Sequence, residues 1–256
     1  MIGPFGKKIL ILIPHPDDEV VACAAAIRRA QAEGAKIYGA YLTHGCPALQ
    51  TLWPWQRRAY KKRILRRHEE ARRAATMLGI MPVSWKPVPA RFLWRQLPKA
   101  LKEIEEIILK YQIDQLWVPA YEGGNADHDG LNAVGRELGK QMPVIEFAEY
   151  NWCGGAVNSH QFPFPTRSVS TIYLTPEEQE WKRRCLAVYA SEKRNLSYVD
   201  VTRESFRPLA NYDYSRPPHP GLLWYMRFRW VPFHHPGIDR TTPAMVSRAI
   251  GRFQTS

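Results

Sequence analysis

A chain of 256 residues with 45% apolar content is long enough to bury one sizeable α/β core without a second domain. No run approaches the roughly 18 apolar residues of a membrane span, and Lys7-Lys8 followed by Ile9–Ile13 is too short for a signal peptide. The four cysteines are scattered without a CxxC pair, so neither a disulfide framework nor a thiolate zinc site is suggested, and a cytoplasmic protein is the default. The net charge of +12 is concentrated between Arg57 and Arg73, where nine Lys/Arg face only Glu69 and Glu70. A solvated helix face accounts for such a run. The functional alternative is a surface drawn to anionic lipid or a phosphate-bearing substrate. With no recognisable nucleic-acid module, no nucleic-acid partner is expected.

In chain order, Ile9–Ile13 reads as a strand buried on both faces, as in a parallel sheet. Pro14 and Pro16 stop it, and the turn that follows carries His15, Asp17, Asp18 and Glu19. An alanine-rich helix from Val20 to Glu33 comes next, ended by Gly34. Lys36–Leu42 is the second strand of a β-α-β unit, with Thr43-His44-Gly45 at its carboxyl end. Cys46–Gln56 reads as a loop tipped by Trp53-Pro54-Trp55, and Arg57–Leu78 as one long helix. Val83–Val88 is a proline-interrupted strand near an edge, Leu97–Tyr111 an amphipathic helix, and Gln115–Pro119 a further strand. The polar loop Tyr121–Gly130 and a helix Leu131–Lys140 follow, then strands at Val144–Tyr150 and Ser168–Leu174. Thr175 with Pro176 starts a helix running to about Asn195. The expectation is a single Rossmann-like domain over 1–256, a mostly parallel sheet flanked by helices. Residues 196–256 should form an irregular extension rich in proline, arginine and aromatics.

Two polar loops thus open at the same sheet edge, where open α/β sheets place their sites. Neutral imidazole and carboxylate are ordinary zinc ligands, and a catalytic zinc keeps one position for water. His15 and Asp18 lie three residues apart across a turn, and His128 is the third ligand to expect. Asp17 is then free to act as general base towards a water that the ion activates. A helix cap is the bland reading of this turn, but one Asp would satisfy it.

Pro14-His15-Pro16-Asp17-Asp18-Glu19 resembles the signature of the PIG-L/LmbE-like zinc-dependent N-acetylglucosamine deacetylases. Asn125-Ala126-Asp127-His128 is similar to the second motif of that family, usually His-Pro-Asp-His, and follows Tyr121-Glu122-Gly123-Gly124. Arg67-x-x-Glu70, Tyr189-Ala190-Ser191-Glu192, Arg203–Arg207 and Tyr212–His219 also match, so the likeness covers most of the chain to about Trp230. The resemblance implies zinc held by His15, Asp18 and His128, with Asp17 as base and Asp127 orienting a neighbouring catalytic imidazole. Asn125 stands where the family has that imidazole. It can donate to a developing oxyanion but cannot protonate a leaving amine.

Arg67, Glu122, Arg207 and Arg216 are the expected substrate contacts, the last two to an anionic part; Arg67 and Glu70 could instead form an i,i+3 helix pair. His44, His68, His160, His219, His234 and His235 read more simply as surface or core histidines. The run Leu222–Trp230 reads as core, dimer contact or interfacial patch. The implied substrate is an N-acetylated sugar or glycoconjugate, anionic or lipid-linked, with weak peripheral membrane contact and a homo-oligomer both open. The alternatives are a catalytically silent carbohydrate-binding relative and an amidase acting on a thiol-sugar conjugate.

Overall fold

The computed structural model describes residues 5–229 and 240–255. His234, His235 and Trp230 therefore lie outside the described residues. In chain order the elements are β1 (Lys8–Ile13), α1 (Asp18–Ala32), β2 (Lys36–Tyr41), α2 (Pro54–Arg57), α3 (Tyr60–Leu78) and β3 (Met81–Trp85). Then come α4 (Leu97–Tyr111), β4 (Gln115–Pro119), α5 (Ala126–Leu138), β5 (Val144–Ala148), and a two-residue pair, β6 (Tyr150–Asn151) with β7 (Asn158–Ser159). The remainder is β8 (Ser170–Tyr173), α6 (Pro176–Val188), β9 (Arg203–Pro208) and α7 (Pro243–Gln254).

The main sheet has the order β3-β2-β1-β4-β5-β9-β8, with β3 to β5 parallel and β9 and β8 antiparallel. Progression runs one way through β2 and the other through β4. The crevice between the carboxyl ends of β1 and β4 is thus the topological switch point, where such sheets bind ligands. Both polar loops leave from those two ends. Along β1, Ile9, Ile11 and Ile13 pack under α1, α3 and α6, while Leu10 and Leu12 pack under α4, α5 and α7. All five are fully buried, stabilising the fold by on the order of 10 kcal/mol before ordering costs.

Several elements differ from the sequence reading. The long basic helix breaks at residues 58–59 into α2 and α3. Helix α5 begins five residues early, at Ala126, because the Asn125 side chain caps it by accepting from the Asp127 amide at 2.9 Å. The stretch 196–256, expected to be irregular, contributes β9 to the sheet and α7 to one core. Strand β9 was hard to read because Glu204, Ser205 and Arg207 are buried beside Phe206, so no apolar alternation marks it. All four cysteines are free thiols. Among the described residues, no helix is long and apolar enough to cross a membrane.

The polar residues of β9 are satisfied across layers. Glu204 accepts from the Ala25 and Ala26 amides of α1, both at 3.0 Å, and from Lys182 Nζ of α6 at 2.9 Å. Lys182 and Glu204 are both fully buried. Lys182→Met removes the buried cation paired with the Glu204 carboxylate and is expected to cost about 3–5 kcal/mol in urea unfolding, while Lys182→Met/Glu204→Gln should recover part of that loss. A single variant as stable as the parent would show that the pair contributes nothing to folding.

Candidate active site

The turn after β1 is held from three sides. Thr43 Oγ1 donates to the Pro14 carbonyl at 2.8 Å, and Arg67 Nη2 donates to the Pro16 carbonyl and, at 3.2 Å, to Asp17 Oδ2. Gly45, at φ 71°, lets the chain pass close beneath: a Cβ there would lie 2.9 Å from Pro16 Cδ and 3.0 Å from Arg67 Nε. Tyr189 donates its hydroxyl to Glu19 at 2.5 Å, and Glu19 in turn accepts the Asp17 amide at 3.1 Å. These contacts hold Asp17 at φ 123°, a strained conformation for any side chain other than glycine.

Asp18 Oδ2 lies 3.3 Å from His15 Nδ1 and 3.3 Å from His128 Nε2, and the two nitrogens are 3.2 Å apart. Zinc–nitrogen and zinc–oxygen bonds of about 2.0–2.1 Å meeting at a tetrahedral angle end about 3.3 Å apart. The three donor atoms therefore already have the spacing of one face of a tetrahedral site, and all three residues are buried. Burial opposes charge on His15, yet Asp18 and Asp127 outweigh it and push the imidazole up to about 10. Asp18 is likewise penalised by burial but held well below the usual carboxylate range by His128 and His15.

Asp127 takes a part that differs from the expected one. Its Oδ2 lies 3.0 Å from His15 Nε2, so the imidazole it orients belongs to the triangle and not to residue 125. Its carboxylate is fixed by the amides of Arg91 (2.6 Å) and Trp94 (3.1 Å). A carboxylate behind a ligating imidazole fixes the tautomer and raises ligand basicity. Glu149, which the sequence reading missed, lies 3.8 Å from His128 Nδ1, fully buried with neither oxygen hydrogen-bonded. Burial, with Asp18 and Glu122 nearby, pushes its carboxyl well up. No motif marks it; only its place just beyond β5 brings it to the site.

The expected substrate contacts divide. Arg67 is at the site, 3% exposed, and pairs with Asp17 and with Glu192 at 3.5 Å. It does not pair with Glu70, which instead accepts from the Ser191 amide at 3.1 Å and the Ser191 hydroxyl at 2.5 Å. The Tyr189–Glu192 motif thus locks the active turn through Glu19, Glu70 and Arg67. Glu122 serves the backbone: its carboxylate accepts from the amides of Glu149 and Tyr150 and from Asn151 Nδ2, at 2.8–3.1 Å. Arg207 is buried against Glu146 at 2.6 Å, and Arg216 is 81% exposed in a pair with Asp213. Neither is brought to the triangle by these contacts. Tyr150, whose ring centroid is 5.9 Å from that of His128, packs with Tyr198 and Trp224 into a half-buried aromatic wall. Sequence periodicity could not reveal it, because its members come from three separate segments.

Burial raises Asp17 to about 8 against the pull of Arg67, and raises Glu122 to about 8 and Asp129 to about 7 despite their amide donors. As pH rises from about 4 to 8, the unfolded chain gives up these protons before the folded one does. The folded state then binds more protons, so its stability is greatest below the unfolded pKa and falls through this window. In the presence of a chelator, the melting temperature should drop by several °C between about pH 5 and pH 8, and Glu122→Gln should flatten the slope. A melting temperature that rises over that interval would contradict these assignments.

The fold recurs in solved structures. The zinc-inhibited form of the teicoplanin deacetylase Orf2 superposes with a TM-score of 0.61 at 17% identity, covering 80% of this chain and 99% of that one. N,N'-diacetylchitobiose deacetylase from Pyrococcus horikoshii gives 0.51 at 15% identity, over 83% and 84%. GalB, the 4-carboxy-2-hydroxymuconate hydratase from Pseudomonas putida KT2440, gives 0.52 at 16%, over 81% and 98%. At such identities the likeness is one of fold, and that fold carries more than one chemistry. No curated protein sequence is a significant match. The PIG-L family profile, described as GlcNAc-PI de-N-acetylase, matches residues 10–138, half of the chain and the part that carries both polar loops. With the His15–Asp18–His128 triangle inside that span, the chain belongs to the PIG-L family.

Proposed function

We propose that this protein is a zinc-dependent N-deacetylase acting on an N-acetylated sugar of the N-acetylglucosamine type. The observation that carries the reading is the buried triangle of His15 Nδ1, Asp18 Oδ2 and His128 Nε2, with Asp17 in the same turn. Bound there, zinc would supply a Lewis acid that lowers the pKa of a water towards neutrality and polarises the acetamide carbonyl.

The protein's own groups do the rest. Asp17 takes the proton of the attacking water; burial pushes its carboxyl up and the Arg67 guanidinium opposes that rise, an environment that favours a group able to accept and return a proton. Arg67 holds that carboxylate in place and keeps it from being neutralised too readily. Asn125 has committed its Oδ1 to capping α5, which leaves its Nδ2 hydrogens as the group that can donate to the tetrahedral oxyanion. With no acidic imidazole at 125, protonated Asp17 returns its proton to the leaving amine. The wall of Tyr150, Tyr198 and Trp224 beside His128 offers flat faces for an apolar sugar face or aglycone.

Acetate release from N-acetylglucosamine derivatives, with and without zinc, tests the reading directly. His15→Ala, Asp18→Ala and His128→Ala should each lose zinc and activity. Asp17→Asn should keep zinc and lose activity. Zinc lost in Asp17→Asn but retained in Asp18→Ala would reverse the roles. Asn125 also favours a second reading, a carbohydrate-binding relative without turnover. No acetate from any acylated sugar in a panel that includes thiol-sugar conjugates, alongside measurable sugar binding, would establish it.

Restoring an imidazole by Asn125→His should raise kcat towards the general-acid range of about 10²–10⁴-fold, with a smaller change in KM. It should also cost about 1 kcal/mol of stability through the lost cap. If the variant binds zinc normally and is no faster, Asp17 alone suffices as proton donor.

A lipid-linked or anionic substrate is supported by Trp53 and Trp55. They stack at 5.0 Å, are 40% and 68% exposed, and sit at the start of α2, the short helix ahead of the cationic α3. Co-sedimentation with anionic vesicles should weaken as salt rises and in Trp53→Ala/Trp55→Ala. Absence of binding even at low salt would leave α3 as a solvated face.

A further inference from the structure

A cavity of about 540 Å³ lies between the 3-10 turn Leu93–Arg95, the start of α4, and α7. That volume is in the range of small-molecule sites. Its floor is apolar, including Trp94, Leu97 and Phe253, and its charged lining residues are all cations: Arg95, Arg248 and Arg252. Arg248 and Arg252 are one helical turn apart and so share a face of α7. Arg95 stands on the opposite wall, its guanidinium 4.8 Å from the Trp94 ring centroid. None of these three forms an ion pair with a carboxylate among the described residues. Three exposed guanidiniums without a carboxylate partner beside an apolar floor are complementary to a molecule with one anionic end and one apolar end.

The cavity wall is also tied to the metal triangle. Trp94 lines the cavity and donates its backbone amide to Asp127 Oδ1 at 3.1 Å. The same residue donates Nε1 to the Arg91 carbonyl at 3.0 Å, and the Arg91 amide holds Asp127 Oδ2, which in turn bonds His15 Nε2. Arg91 sits at φ 69°, so this segment is held in an uncommon conformation by its surroundings. On the other side, Gly130 of α5 approaches so closely that a Cβ there would lie 3.1 Å from Trp94 Cβ. A ligand that moves Trp94 must therefore act on Asp127 and on the helix that carries His128.

We propose that this cavity binds an amphipathic anion, a carboxylate or phosphate head on an acyl chain, and that its occupancy tunes the metal triangle through Trp94 and Asp127. The arginines hold the head at the rim and the apolar floor takes the chain. The ligand can arrive as a free monomer or from a bilayer, since the chemistry recognised is the same. Coupling of this kind is reciprocal: if the ligand changes zinc affinity by some factor, zinc changes ligand affinity by the same factor. The coupling rests on the metal reading above; the binding does not.

Calorimetry on the full chain with decanoate, kept below its micelle-forming concentration, reads the site. Decan-1-ol and inorganic phosphate serve as chain-only and charge-only probes. Decanoate should bind at least about tenfold tighter than either, as expected when both halves of the site contribute. Arg248→Glu/Arg252→Glu should lower that affinity at least about tenfold through charge reversal, and Ala249→Trp should do so by filling the groove with no change of charge. Competition with a fluorescent chelator should show zinc affinity shifted by saturating decanoate in the parent and unshifted in both variants. Equal decanoate binding by parent and both variants, or decanol binding as tightly as decanoate, overturns the site. Normal decanoate binding with zinc affinity unmoved overturns the coupling alone, and decanoate binding with no zinc binding at all fails the metal reading alone. Vesicles of phosphatidylglycerol that bind the parent and not the double variant, with no binding of monomeric decanoate, would overturn the free-ligand site in favour of a bilayer contact.

Discussion

Asp18 is the residue on which the rest of the site depends. Its Oδ2 accepts the His15 amide at 2.7 Å and stands 3.3 Å from an imidazole on each polar loop. A carboxylate buried this deeply is stable as an anion only when positive partners face it. Two histidines, one from the turn after β1 and one from α5, supply that partnership. They can meet only because β1 and β4 are neighbours in the sheet, joined through the pairing of Ile9, Leu10 and Ile11 with Gln115, Leu116 and Trp117. The triangle is thus a consequence of strand order.

Around that triangle the protein buries an unusual density of acid. Asp17, Glu19, Glu122, Asp127, Asp129 and Glu149 are all nearly or wholly out of solvent. Several accept from backbone amides: Glu122 clamps the chain beyond β5, Asp129 holds the Glu122 and Gly123 amides, and Asp127 holds those of Arg91 and Trp94. For Glu19, Glu122 and Asp129 burial still outweighs these donors and keeps the carboxyl raised. Such a cluster stores unfavourable electrostatics that protons or a cation can relieve, which is the usual condition of a site built for chemistry.

The same arrangement explains why Asn125 is tolerated. Its side chain begins α5 and so positions the first turn from which Asp127 and His128 project. Asparagine caps the helix through its Oδ1, and in the deacetylation we propose its Nδ2 stays available as a hydrogen-bond donor. The imidazole that Asp127 does orient is His15, so this carboxylate retains a partner without any histidine at 125.

By itself, the sequence determined the elements whose signal is local. The unbroken apolar run of β1, the helical stripe of α4 and the Thr175–Pro176 start of α6 were legible because propensity, periodicity and capping act over a few residues. The turn Pro14–Glu19 and His128 stood out in the sequence because their side chains have few structural uses in combination, and the fold brings His15, Asp18 and His128 together. Tertiary structure alone decided that Glu149 stands behind His128, that Asp127 turns to His15, and that Glu122 and Arg207 serve the framework while Arg67 serves the turn. It also decided that β9 joins the sheet, since its buried Glu204 and Arg207 look exposed until Lys182 and Glu146 are brought to meet them. These are contacts between residues far apart in the chain. Their partners are set by which strands and helices become neighbours, and no local pattern carries that information.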